Sequence, residues 1–153
     1  MIGQVISLTF ALVGAAAVYG TDVFFCVVGR TALIHVSDAA LVETMGRLHE
    51  VADRPMPLFG VIGIVGALAS IAFSRVSCPW ALTAVAAQVL WIAVYRSVAA
   101  PVNAELTRNA RTGSVPADAR ALQARWDSVI VVRVPLMGLA VIALAAALVR
   151  SAR

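Results

Sequence analysis

Four long apolar runs, separated by polar segments, dominate the sequence. They cover residues 2–29, 56–74, 79–100 and 128–149. A helix needs about 20 mostly apolar residues to cross the hydrocarbon core of a bilayer, whereas a barrel strand is about half as long and alternates apolar and polar positions. The pattern therefore predicts an all-α protein, a four-helix transmembrane bundle in which residues 1–153 form a single transmembrane domain.

The polar segments between the runs differ greatly in length. With four antiparallel spans, the long connections 30–55 and 96–127 lie on one membrane face, and both termini and the short turn around Arg75 lie on the other. More arginines lie on the long-connection face, but they are denser on the short face. The positive-inside rule therefore leaves the orientation open.

The first long connection is predicted to contain a short amphipathic helix. Leu41, Met45 and Leu48 recur at the spacing of one helical face, and they follow a capping residue, either Ser37 or Asp38. One side of such a helix is apolar and the other is charged. We therefore expect it to lie across the mouth of the bundle.

The second long connection has the signals of another short helix. A proline between Ser114 and Asp118 is typical of a helix start, and this helix would run into Trp126 and the fourth span. Gly113 is placed to end the helix before it. Both amphipathic helices are therefore expected on the same membrane face.

The composition supports a membrane protein and restricts its partners. Hydrophobic residues make up 61% of the chain and charged residues 13%, against about 45–50% and about 25% in soluble domains. The basic residues are all arginine and stand at helix ends and in loops, without the basic stripe of a nucleic-acid protein. The expected partners are the bilayer and a hydrophobic small molecule or lipid, not nucleic acid. A homo-oligomer or a membrane-complex partner remains open.

Two ionisable residues lie inside the spans, where they are candidates for a functional site. Asp22 precedes Arg30 by eight residues, so it lies about 12 Å below that face, and Arg133 lies about 9 Å below it by the same count from Asp127. Because the two charges have opposite sign and similar depth, we predict that they pair inside the bundle. A purely structural ion pair is the alternative interpretation.

Other polar residues converge on the same end of the bundle. His49 and Asp53 share one helical face, and Arg96 and Asn103 close the third span. A polar cup lidded by short helices is typical of a small-molecule site. The predicted catalytic residues are Asp22, His49 and Arg133, and the predicted substrate-binding residues are Asn103, Trp126, Tyr19 and Arg96.

A metal site is a weaker alternative at this end. His49 and Asp53, with Asp22 or Glu105, offer imidazole and carboxylate ligands. The chain has only two histidines, however, and lacks paired metal-binding motifs on one helix. No metal or other cofactor is therefore predicted.

Three glycines in the second span, Gly60, Gly63 and Gly66, recur at intervals of three residues. Glycines at this spacing give one side of a helix a smooth surface, which lets a neighbouring helix approach closely. The pattern predicts a packing surface, not a nucleotide-binding loop, because no strand precedes it.

The stretch APVNAEL, followed by a tryptophan and an arginine entering the fourth span, resembles the anthrone oxygenase-like family of small four-helix membrane proteins. The matching residues are Pro101, Asn103, Trp126 and Arg133. The family has a polar residue between the last two, where this chain has Ile130. The resemblance extends to chain length, span number and loop sizes.

The resemblance implies a cofactor-free oxygenase that converts anthrones to anthraquinones in the bacterial inner (plasma) membrane. Such chemistry needs a base, for which His49 or Asp22 is the candidate, and donors for an oxyanion, for which Arg133 and Asn103 are the candidates. The competing hypothesis is a non-enzymatic protein that binds a lipid or quinone, or serves as an accessory subunit of a membrane complex.

Overall fold

The computed structural model describes residues 2–73 and 78–151, and these are helical with no strand. Four helical stretches are long and apolar enough to cross a membrane: Ile2–Leu33, Met56–Phe73, Cys78–Thr112 and Ala119–Ser151. The predicted all-α, four-span fold is confirmed, although the turn around Arg75 lies outside the described residues. The elements are α1 (Ile2–Phe24), a π-helical turn (Phe25–Gly29), α2 (Arg30–Leu33), α3 (Asp38–Ala52), α4 (Met56–Phe73), α5 (Cys78–Val94), a second π-helical turn (Tyr95–Ala99), α6 (Ala100–Thr112) and α7 (Ala119–Ser151).

The bundle packs α1 against α4 and α7, and α5 against α7. Small residues allow the close contact between α1 and α4, because a Cβ built on Gly14 would lie 2.5 Å from the carbonyl oxygen of Phe59. A Cβ on Gly66 would lie 2.7 Å from the carbonyl oxygen of Ser7. The glycine surface predicted in the second span therefore packs as expected at Gly63 and Gly66. It does not at Gly60, where a Cβ would meet no described atom within 4 Å.

The third span is longer than predicted, because the helix does not end at Pro101. It continues to Thr112, where Gly113 takes the left-handed conformation (φ 68°) and ends it as predicted. The π-helical turn Tyr95–Ala99 comes directly before α6, and the amide of Ala100 donates to the carbonyl of Tyr95. Pro101, which has no amide hydrogen to donate, thus follows this widened turn.

A two-layer cap covers this end of the bundle, formed by α3 lying on α6. The hydroxyl of Ser37 caps α3 by accepting from the amide of Ala40 at 3.2 Å, as predicted. Gly46 lies directly against Leu106 and Ala110 of α6. The second helix predicted in the long connections, which was expected to run into Trp126 and the fourth span, begins at Ala119 and forms the first turns of α7. The helix that Gly113 ends is α6, which prolongs the third span.

Arg120 connects the start of the fourth span to the cap through hydrogen bonds. Its guanidinium donates to the carboxylate of Asp38 at 2.7 Å and to the carbonyl of Leu33 at 2.8 Å. These bonds join the start of α7 to both ends of the connection that leads into α3. The cap is thereby held over the bundle mouth from two sides.

Candidate functional site

A cavity of about 500 Å³ lies beneath α3, between an apolar cluster in the bundle and a second apolar cluster in the cap. Drug-sized molecules occupy cavities of about 300–1,000 Å³ that are mostly apolar with a few polar groups. This cavity has that character. It is lined by Val18, Thr21, Asp22, Phe25, Leu48, His49, Ala52, Asp53, Met56, Pro57, Gly60, Val61, Ile64, Trp91, Ile92, Tyr95, Arg96, Asn103, Trp126 and Arg133.

A buried ion pair lies on the inner wall of the cavity. Arg133 Nη2 donates to Asp22 Oδ1 at 2.5 Å, and the two side chains are 8% and 2% exposed. Trp91 Nε1 donates to the other carboxylate oxygen of Asp22 at 2.6 Å. The predicted pairing is confirmed, and both oxygens of Asp22 are engaged. Its carboxylate is therefore poorly placed to act as a free base.

Three aromatic rings surround the guanidinium of Arg133. Its Cζ lies 4.8 Å from the ring centre of Trp91, 5.6 Å from that of Tyr95 and 5.7 Å from that of Trp126. Trp91 and Tyr95 stack in parallel, with ring centres 5.6 Å apart. Such rings stabilise a cation away from water. Arg133 Nε is buried and has no hydrogen-bond partner within residues 2–73 and 78–151.

Asp53 organises a second polar network at the cap end of the cavity. It accepts from the hydroxyl of Tyr95 at 3.1 Å and from Asn103 Nδ2 at 3.2 Å. Asn103 Oδ1 accepts from Trp126 Nε1 at 3.0 Å. Asn103 therefore contacts Asp53 and Trp126 and not Arg133, with which it was expected to hold an oxyanion. Both the NH₂ group and the oxygen of its side-chain amide are hydrogen-bonded. Asn103 therefore positions the cavity wall and is poorly placed to donate to a ligand.

His49 lies between the two networks and is buried, with 6% of its surface exposed. Its ring is 5.7 Å from that of Trp126. Burial lowers the pKa of His49 from 6.5 to about 4, with Arg133 adding to the shift and Asp53 opposing it. The imidazole is thus neutral near pH 7. Its Nε2 is buried and unpartnered in the described part of the chain, and the residue lines the cavity.

This pKa predicts an acid-sensitive fold. A folded-state value of about 4 lies below the usual value of about 6.5, so between the two the unfolded chain binds more protons. Stability should therefore be fully present above about pH 6.5 and fall as the pH drops toward about 4. Thermal unfolding in detergent at a series of pH values tests this. His49→Gln should flatten the dependence, whereas His35→Gln, which alters an exposed histidine, should not.

Of the other predicted site residues, Arg96 and Trp126 line the cavity and Tyr19 does not. Arg96 lines the cavity at an exposed position. Trp126 also lines it, but it is 2% exposed and lies beneath the cap. Tyr19 does not line the cavity, because its ring packs near Gly138 of α7. Ile130 is fully buried in the apolar cluster of the cap and lies outside the cavity lining.

Three aromatic residues of the site were missed in the sequence. Trp91, Tyr95 and Phe25 stand in apolar runs, where their identity alone does not indicate a site. Trp91 and Tyr95 are four residues apart and therefore share one helical face, which was the available indication. Asp53 was predicted only to share a helical face with His49 and as a possible metal ligand, although its hydrogen bonds join three helical segments.

The metal alternative finds no support in the arrangement of ligands. Among the described residues, no three histidine, cysteine, aspartate or glutamate side chains come together as a metal site requires. Glu105 instead accepts hydrogen bonds from Arg108 and Asn109 of its own helix.

The fold and the site together define a multi-pass α-helical membrane protein with a partly polar cavity near one end of its bundle. No protein-family model, curated protein sequence or solved structure matches the chain. The resemblance to the anthrone oxygenase-like family stays a prediction based on the residues that carry it.

Proposed function

We propose that the cavity binds a hydrophobic molecule with an oxygen-bearing ring, and that the protein acts on it as a cofactor-free oxygenase. The observation that carries the proposal is the pair of unpartnered polar atoms in one apolar cavity, His49 Nε2 and Arg133 Nε. A buried polar atom without a partner costs free energy, which a ligand oxygen or acidic hydrogen relieves. The surrounding aromatic rings suit a flat ring system.

The reaction follows from what these two atoms offer. His49 Nε2 removes a proton from the methylene carbon of an anthrone-like ring, and Arg133 Nε donates to the oxygen that becomes negative. The carbanion adds to O₂ and, with the proton returned from His49, forms a hydroperoxide. Its O–O bond then breaks as the second hydrogen of that carbon and the outer oxygen leave as water. One atom of O₂ becomes the quinone carbonyl and the other becomes water.

The low basicity of His49 is compatible with this role. Proton transfer creates an imidazolium beside a newly formed anion, and their attraction offsets the burial that keeps the free histidine neutral. Asp22 was the other candidate base, but in this proposal it does not remove a proton. Its carboxylate fixes Arg133, so it acts as a positioning residue.

Oxygen consumption with an anthrone tests the proposal. The purified protein should consume O₂ and release the anthraquinone, and His49→Gln should lower the rate by about 100-fold or more, the usual effect of removing a general base. His35→Gln is the matched control and should keep the wild-type rate. Equal rates in wild type and His49→Gln would exclude His49 as the base.

The second candidate function is a non-enzymatic binder of a lipid or quinone. In favour of this candidate, internal hydrogen bonds already occupy the polar side-chain atoms of Asp22, Asp53 and Asn103. Among the described cavity residues, His49 is then the one candidate base whose ring nitrogen Nε2 has no partner. A ligand that co-purifies unchanged, with no oxygen uptake by the protein, would favour this candidate. Mass spectrometry of the detergent extract makes that measurement.

For its location we propose the bacterial inner membrane, on the strength of the four apolar spans and the family resemblance. Separation of inner and outer membranes on a density gradient tests this. Recovery with the outer membrane or with the soluble fraction would contradict it.

A further inference from the structure

The cavity has one closed side and one open side. Its lining residues on α1 and α7, which include Asp22, Trp126 and Arg133, are buried or half-buried. Its exposed lining residues lie at the end of α3, in the turn between α3 and α4, on α4, and at the end of α5 and just beyond it. Among them Val61 is 55% exposed and Ile92 is 37% exposed. The open side therefore lies along α4 and α5.

The two helices that border the opening, α4 and α5, pack closely at Gly63 but leave open space at Gly60. They are in close contact where the side-chain oxygen of Gln88 lies against Gly63. Gly60 lies one turn nearer to the cap and lines the cavity, yet a Cβ there would meet no atom within 4 Å among residues 2–73 and 78–151. The contact at Gly63 thus forms the floor of a gap, and Gly60 lies at its edge.

The gap is at membrane depth. Val61 lies five residues into α4, about 7.5 Å along the helix, and Ile92 lies four residues before Arg96, about 6 Å. Both side chains are apolar and exposed on spans long enough to cross the bilayer, so the surroundings of the gap are acyl chains. The polar exposed residues, Asp53 and Arg96, stand at the cap end of the same opening.

From this geometry we infer that the ligand is a membrane-dissolved amphiphile, whose oxygen-bearing ring contacts His49 and Arg133 and whose hydrocarbon tail leaves between α4 and α5 into the bilayer. The inference rests on the proposed function for the position of the ring and extends it to the class of ligand. A ring alone would leave the apolar edge formed by Gly60, Val61 and Ile92 uncovered. A tail covers that edge and continues into lipid of the same polarity.

Binding of two probes to the full chain in lipid nanodiscs tests the inference. One probe is a substituted benzoquinone with a ten-carbon alkyl tail, and the other is the same ring without the tail. Gly60→Leu should weaken binding of the tailed probe by about tenfold, because the new side chain occupies the path of several methylene groups. The tailless ring should lose less than about twofold.

Gly20→Leu is the matched control. Gly20 is also a helical glycine whose Cβ would meet nothing within 4 Å in the described chain, but it does not line the cavity. It should bind both probes as the wild type does. Thermal unfolding of Gly60→Leu at the wild-type temperature shows that its fold is intact.

The outcomes separate the two proposals. If Gly60→Leu binds both probes as tightly as the wild type, or loses both equally, the tail does not leave between α4 and α5, and the ring site stands. If the wild type binds neither probe, the proposed function and the tail path are both excluded. A selective loss of the tailed probe supports the path.

Discussion

Asp22→Ala is expected to lower the free energy of unfolding by about 3–5 kcal/mol, because it leaves the buried guanidinium of Arg133 without its counter-ion. It also removes the acceptor of Trp91 Nε1. The side chains of the ion pair are nearly inaccessible to water, whereas Trp91 is half-buried. Thermal and denaturant unfolding in detergent measure the effect. A variant as stable as the wild type would contradict the view that this ion pair holds α1 and α7 together.

Two controls separate charge burial from simple loss of a side chain. Glu43→Ala removes an ion pair with Arg47 in which both side chains are more than half exposed, so it should change the stability far less than Asp22→Ala does. The double variant Asp22→Leu with Arg133→Met removes both buried charges and replaces them with apolar side chains. It should recover most of the stability lost in Asp22→Ala. Failure of the double variant to recover would indicate that the hydrogen bond from Trp91, not the charges, dominates.

Gly14→Ala and Gly20→Ala are expected to change stability in opposite directions. A Cβ on Gly14 would lie 2.5 Å from the carbonyl oxygen of Phe59 and 2.8 Å from the amide nitrogen of Gly63, and both are backbone atoms that cannot rotate away. Overpacking of this kind costs about 1–3 kcal/mol. On Gly20 the methyl group has open space among the described atoms, and alanine favours the helix by up to about 1 kcal/mol.

Unfolding of both variants under the same conditions measures this difference. Because the two glycines are in one helix and undergo the same substitution, their comparison isolates the contact with α4. Similar shifts in both variants would mean that the close approach of α1 and α4 does not limit the fold.

The sequence was sufficient for the spans and for the depth of the central ion pair. Apolar run length predicts the spans, and a constant rise of 1.5 Å per residue places Asp22 and Arg133 at one level. The caps at Ser37 and Gly113 were also predictable, because each depends on a residue and its immediate neighbours. These features need no knowledge of how the helices face one another.

The features that failed depend on rotation about a helix axis. The separation of Gly60 from Gly63 and Gly66, and the partners of Asn103, follow from which side of each helix faces the bundle. An apolar span in lipid has no polar face to reveal that orientation, since lipid-facing and core-facing positions are both apolar. Trp91 and Tyr95 were missed for this reason.

The two π-helical turns have a consequence for how such a site can change over evolution. Each widened turn holds one residue more than the α-helical turn it replaces, so the chain beyond it is rotated by about 100° about the helix axis. In span three, Trp91 precedes its turn and Asn103 follows it, yet both line one cavity. Loss of a single residue from Tyr95–Ala99 would therefore re-aim the whole of α6. A one-residue deletion can thus move Asn103 relative to Trp91 without substituting either residue.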